Sequence, residues 1–149
     1  MEVLALLKEK ARTVLTIASN QTVEDAICLM SRGKVSALLV TENDQPAGIF
    51  SEKDVYKSLL KNKSAAFSKI SLEDAMTCNL LLAEPKDAIT TVLDKMIAAD
   101  ITHLPVMEDN KIVGMLTLRE LMEHQIASLS DEIDQLNDYI ADLHEAGQD

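Results

Sequence analysis

Two short segments of this 149-residue chain carry side chains that could do chemistry together. In the first, Gly48-Ile49-Phe50-Ser51 leads to Lys53 and Asp54; in the second, Gly114-Met115-Leu116-Thr117 leads to Arg119 and Glu120. Each reads as a strand that turns straight into a helix. The first amides of a helix lie at the positive end of its dipole, so a Ser51 or Thr117 hydroxyl beside them suits a phosphate. A carboxylate three residues on accepts two charge-assisted hydrogen bonds from a cis-diol. Lys53 and Arg119 would add positive charge near the phosphate. The same spacing also fits a plain helix cap, with Ser or Thr at the N-cap and an acid at the third helical position.

No catalytic constellation accompanies these segments. Ser51 has no identifiable His partner, and the sequence holds no Gly-x-Ser-x-Gly, P-loop or dinucleotide fingerprint. The pairs Glu24-Asp25 and Glu73-Asp74 sit near helix starts, where negative charge favours the dipole, and do not form an acid/base pair. His124 and His144 share no metal-ligand spacing with acids or Cys, which argues against zinc. Cys28 and Cys78 have no CxxC pairing and read as reduced thiols. His103, in Thr-His-Leu-Pro, stands at the mouth of an expected strand, where it could reach a phosphate or ribose.

Composition narrows the partners. Apolar residues make up 47% of the chain and aromatics only 3%, so the core must come from aliphatic side chains and seven Met. The net charge is −11, which lacks the basic stripe that captures a nucleic acid backbone and is equally poor for anionic membranes. No stretch reaches transmembrane length and Val3–Leu7 is too short for a signal peptide, so a cytoplasmic protein is expected.

The elements that must position these residues emerge when the chain is laid against itself. At a shift of 66 residues, without gaps, Val23 meets Ile89, Met30 meets Met96, Val35 meets Ile101 and Leu38 meets Leu104. Val40 then meets Val106, Ser51 meets Thr117, and Asp54 meets Glu120. Each copy reads strand, helix, strand, strand, helix. The expected strands are Val14–Ile17, Ala37–Val40 and Ala47–Phe50, then Leu80–Leu82, His103–Val106 and Ile112–Leu116. The helical faces are Val23–Met30, opened by a Thr22/Asp25 capping-box variant, and Ile89–Ile97. One such unit of about 50 residues is too small to bury much surface alone. Two copies packed together are expected to share one core.

The paired βαββα repeat resembles a cystathionine-β-synthase (CBS) domain pair over roughly Ala11–Ile126. The features that carry the resemblance are Leu104-Pro105-Val106 and the two glycine-led segments Gly-apolar-apolar-Ser/Thr-x-x-acid. It implies an α+β (mixed α/β) fold with pseudo-two-fold symmetry and a ligand containing adenosine (AMP, ADP, ATP, NAD-type or S-adenosylmethionine) between the repeats. It implies no catalytic cofactor. By that resemblance Ser51 faces the phosphate and Asp54 grips the ribose, with Thr117 as the second phosphate ligand. Glu120 is one methylene longer than the family's Asp, so the first site is expected to be the good one and the second degraded. Thr16, Ile17, Val35, Ser36, Ile101 and Thr102 are expected to line the adenine slot. The role implied is regulatory and not enzymatic: an energy or redox sensor, homodimeric, acting on a separate protein. The alternative is a dimeric scaffold that binds no ligand.

Beyond the repeats, Ile126, Leu129, Ile133, Leu136, Ile140 and Leu143 form an a/d heptad with Ile at each a and Leu at each d. From His124 onward there are seven acids and no Lys or Arg, so self-pairing is expected to bring acids such as Glu132 together. Packing on the protein's own body or on a partner subunit is the alternative. The resulting organisation is an N-terminal helix (1–10), first repeat (11–60), linker (61–72), second repeat (73–126) and acidic amphipathic C-terminal helix (127–149).

Overall fold

The computed structural model describes residues 2–9, 14–61, 63 and 66–147. In chain order the elements are α1 (Val3–Glu9), β1 (Thr16–Ala18), α2 (Val23–Gly33), β2 (Ala37–Glu42), β3 (Gln45–Ser51) and α3 (Glu52–Lys61). A 3-10 turn (Phe67–Lys69) and α4 (Leu72–Ala75) lead to α5 (Ile89–Ala99), β4 (His103–Glu108), β5 (Lys111–Thr117) and α6 (Leu118–Ala146). Lys10, Ala11 and part of the expected linker lie outside the described residues.

Both repeats are built by the same local code. Thr22 closes a reciprocal capping box with Asp25 at the start of α2, as expected. Asn43-Asp44 and Asp109-Asn110 all take positive φ, the conformation a two-residue hairpin needs, and they join β2 to β3 and β4 to β5 antiparallel. The register slips at Val40/Thr41 and again at Val106/Met107, the same place in each copy.

The first sheet has three strands and the second only two. The expected strand Leu80–Leu82 does not form; its place is held by a single parallel bridge, Ala83 to Val106. The cause is chemical. In the first repeat the Leu39 amide donates to the Leu15 carbonyl at 3.0 Å. The matching position is Pro105, which has no N–H to give. Only the bonds from Ala83 to Pro105 and from Met107 to Ala83 remain, at 3.0 and 2.8 Å.

The packing also departs from expectation: each repeat has its own core. Ile17, Val23, Ala26, Met30, Leu38, Val40 and Phe50 form one cluster. Ala83, Ile89, Val92, Met96, Leu104, Val106 and Leu116 form the other, with matching members 66 residues apart. What closes each core comes from outside the βαββα unit. Leu72, fully buried at the start of α4, completes the first cluster, and its counterpart Leu6 on α1 completes the second. Thus the lead-in helix of the first repeat covers the second repeat, while that of the second covers the first. Backbone bonds fix the exchange: Val3 N to Asp87 O (2.8 Å), Val23 N to Ile70 O (2.9 Å) and Leu72 N to Gln21 O (3.0 Å). The segment read as linker therefore supplies core, in Ile70 and Leu72.

The glycines that open the two motif segments serve this exchange. A Cβ on Gly48 would stand 2.8 Å from both the Thr77 carbonyl oxygen and the Met76 sulfur, and one on Gly114 would collide with the Leu7 side chain. Close approach, with no unusual φ, is what demands glycine there.

Leu6→Ala and Leu72→Ala should each cost about 2–5 kcal/mol, the usual range for emptying a fully buried leucine site. Urea denaturation of both variants tests this: a loss confined to one would show that the two lead-in helices are not equivalent.

Candidate functional site

Chain reversal at the helix ends sets up the site. The chain leaves α2 through Lys34 and α5 through Asp100, both in the left-handed conformation. These turns deliver Val35-Ser36 and Ile101-Thr102 to the line where the repeats meet. Each then tethers the opening of its own repeat's last helix. The Ser36 carbonyl accepts from Glu52 N (3.1 Å), and the Thr102 carbonyl accepts from Leu118 N (2.9 Å).

Two clefts result, each made by both repeats. One encloses about 180 Å³ and joins Ser51, Lys53, Asp54 and Lys57 to Thr77, Asn79, Ile101, Thr102 and His103. The other encloses about 640 Å³ and joins Met115, Thr117 and Glu120 to Val14, Leu15, Lys34, Val35, Ser36, Ala37 and His103. The 66-residue shift maps Ser51, Asp54, Ile101, Thr102 and His103 of the first onto Thr117, Glu120, Val35, Ser36 and Ala37 of the second.

At the smaller cleft Asp54 is 3% exposed and accepts three hydrogen bonds. Ser51 donates two of them to Oδ2, from its backbone N at 2.9 Å and its Oγ at 3.2 Å. The third comes from Thr77 Oγ1 to Oδ1 at 2.9 Å. At the larger cleft Glu120, also buried, donates its backbone N–H to Thr117 Oγ1 at 3.0 Å, and that hydroxyl donates to Glu120 Oε1 at 3.1 Å. Thr117 thus forms the helix cap that the spacing allowed, while at Ser51 the return bonds to the Asp54 carboxylate are made, and all four residues also line the clefts.

Several expected positions are corrected. Thr16 is exposed and Ile17 is buried in the first core; neither lines a cleft. Val14 and Leu15, just upstream, take that place, because the strand starts two residues later than its apolar run suggests. Val35 and Ser36 serve the larger cleft while Ile101 and Thr102 serve the smaller, so no single slot unites them. Arg119 is absent from both linings; its Nε donates to Glu123 Oε1 at 3.0 Å along the exposed face of α6. Lys53 does line the smaller cleft, with its amine 3.9 Å from Asp100. The cleft of Thr117 and Glu120, whose site is expected to be the degraded one, is the larger of the two. Thr77, Asn79, Met115 and Lys57 were missed; the shift onto the opposite repeat was the available signal for Met115, which pairs with Ile49.

His103 stands between the clefts and lines both. Its Nδ1 is 3.0 Å from Thr102 Oγ1. Burial pushes its pKa below the ordinary 6.5, outweighing the nearby carboxylates of Asp54, Glu120 and Glu52, which act the other way. A histidine harder to protonate when folded leaves stability untouched above pH 6.5, where it is neutral in both states. Below that pH the unfolded chain takes up the proton first and stability falls. His103→Ala, which copies Ala37, should therefore flatten the drop in urea midpoint between pH 7.5 and 5.5; an unchanged drop would remove His103 as its source.

The CBS domain family model matches residues 10–61 and 72–127. A CBS domain-containing protein of Arabidopsis thaliana, CBSX3, mitochondrial, is 27% identical over 145 residues, covering 91% of this chain and 69% of that protein. A protein with CBS domains from Burkholderia ambifaria superposes with TM-score 0.76 at 29% identity, over 85% of this chain and 95% of that one. The fold is shared as well by the CBS domain pair of protein MJ0100, crystallised with 5'-methylthioadenosine and S-adenosyl-L-methionine. Its TM-score is 0.72 at 22% identity, over 86% of this chain and 98% of that one. With two matched repeats, each rebuilt on the same strand-to-helix corner, the chain belongs to the CBS domain family as a tandem pair.

Proposed function

We propose that this CBS pair is a regulatory module that takes an adenosine-containing ligand (AMP, ADP, ATP or an NAD-type dinucleotide) between its repeats and passes occupancy to a separate protein. Its role is regulatory and not catalytic: energy or redox sensing by a cytoplasmic homodimer. The observation that carries this reading is the pair of symmetry-related clefts, each offering a hydroxyl, a carboxylate and a helix start from one repeat and a junction loop from the other.

The larger cleft is the one that fills first. Its volume lies within the range of about 300–1,000 Å³ usual for small-molecule sites, and the smaller cleft lies below it. Val14, Leu15, Val35 and Met115 offer apolar walls to a base, Glu120 an acceptor for ribose hydroxyls, and His103 a donor for a phosphate, joined by Thr117 once its hydroxyl turns from Glu120. At the smaller cleft Ser51 and Asp54 take the corresponding roles, with Lys53 adding charge and Thr102 at the wall. The Thr77 hydroxyl on Asp54 must first give way there. Support for an adenosine compound comes from the fold: the MJ0100 pair holds two of them. A ligand shifts the repeats between packings only by its difference in affinity for them.

Thermal shift and calorimetry with AMP, ADP, ATP, NAD and NADH test the proposal. A ligand at 100 times its Kd should stabilise the protein by about 2.7 kcal/mol. Ala37→Phe, which fills only the larger cleft, should remove that gain, while Asp54→Ala should leave most of it. Loss through Asp54→Ala alone would move the first site back to Ser51 and Asp54. No shift with any nucleotide would favour a scaffold that keeps the fold without a ligand.

A further inference from the structure

The last helix carries a surface that the protein's own body leaves bare. α6 runs unbroken from Leu118 to Ala146, and only Glu120 and Leu121 near its start are buried. Along the rest, Ile126, Leu129, Ile133, Leu136, Ile140 and Leu143 are 48–63% exposed. Docking of this stripe on its own chain, one of the expected outcomes, is not seen among the described residues. Eighteen residues from Ile126 to Leu143 span roughly 27 Å at 1.5 Å per residue, five a/d intervals in all.

We propose that α6 pairs with α6 of a second copy as a parallel, in-register two-stranded coiled coil. Ile at every a and Leu at every d is the choice that favours two parallel strands. The placement of charge selects a second copy over a basic partner. With Ile126 as a, the flanking e and g positions of the stripe are Ser130, Glu132, Asn137, Tyr139, His144 and Ala146. A basic helix would find one acid there. In a parallel pair each g faces the e of the next heptad, so Glu132 meets Asn137 of the second copy and not another acid. Asp131, Asp134, Asp138, Asp142 and Glu145 fall at b, c and f, where they face water. The repulsion expected from the tail's charge is thus absent from the seam, and the acids keep the outer face soluble. Met122, 43% exposed at the preceding d, extends the stripe toward the repeats.

The proposal rests on the homodimer part of the function proposed above, and the test separates the two. Cys28 and Cys78 are free and exposed, so both are first changed to Ser in the full chain. Ile126→Cys and Leu143→Cys, introduced singly, should each give a disulfide-linked dimer on mild oxidation. Leu136→Glu, at a position 58% exposed and so neutral for the fold, should cut either yield at least tenfold. Crosslinking only when the two Cys variants are mixed would mean antiparallel helices and overturn the proposal. So would single-variant dimers that Leu136→Glu leaves intact, which would mean that the bodies alone bring the helices near. A chain that sediments as a monomer fails both readings, whereas a dimer whose α6 positions never crosslink fails this one only.

Discussion

The structure depends on one packing constraint: neither βαββα unit can close its own core. Burial of a leucine from the opposite repeat's lead-in segment, Leu72 in one direction and Leu6 in the other, completes each. Because the exchange is reciprocal, the repeats cannot separate without opening both cores. A unit of about 50 residues has little apolar surface to hide, and this is how two such units reach stability. The clefts follow from the same contact. The segment after α4 runs along β3, where Thr77 and Ile49 exchange bonds of 2.8 and 2.9 Å, and that run carries the Thr77 hydroxyl to Asp54.

Much of the fold was legible because it is written twice. The 66-residue shift located both hairpins, both helix openings and the matched core positions, since each depends on local pattern. What the sequence concealed was non-local. Which repeat a lead-in helix covers depends on the path between elements, and the short apolar faces of Val3–Leu7 and Ile70–Leu72 do not announce a destination. The loss of the second parallel strand was readable in principle: Pro105 stands where Leu39 donates. Its apolar neighbours Leu80–Leu82 outweighed that cue.

The candidate site was legible in kind and misjudged in detail. The motif residues Ser51, Asp54, Thr117 and Glu120 do stand at the two clefts. Thr117 does so while capping α6, and Ser51 and Asp54 do so while bonded to each other, so the helix start and the cleft are two uses of one arrangement. Arg119 could not be placed from spacing alone, because the next turn of α6 offers Glu123 as a nearer partner. Thr16 and Ile17 failed for a different reason. A strand of three residues has one buried face, and the phase of that face was set by its pairing with Leu39–Thr41.

The two clefts differ at symmetry-related positions. Where the larger cleft has Ala37, the smaller has His103, and where the larger has Gly33 beside Leu15, the smaller has Ala99. His103 also borders the larger cleft, so among the described residues it is the one that lines both. A molecule entering either cleft meets the same imidazole, and moving that ring changes the walls of the other. Pseudo-symmetry built the two clefts alike, and a single histidine borders both.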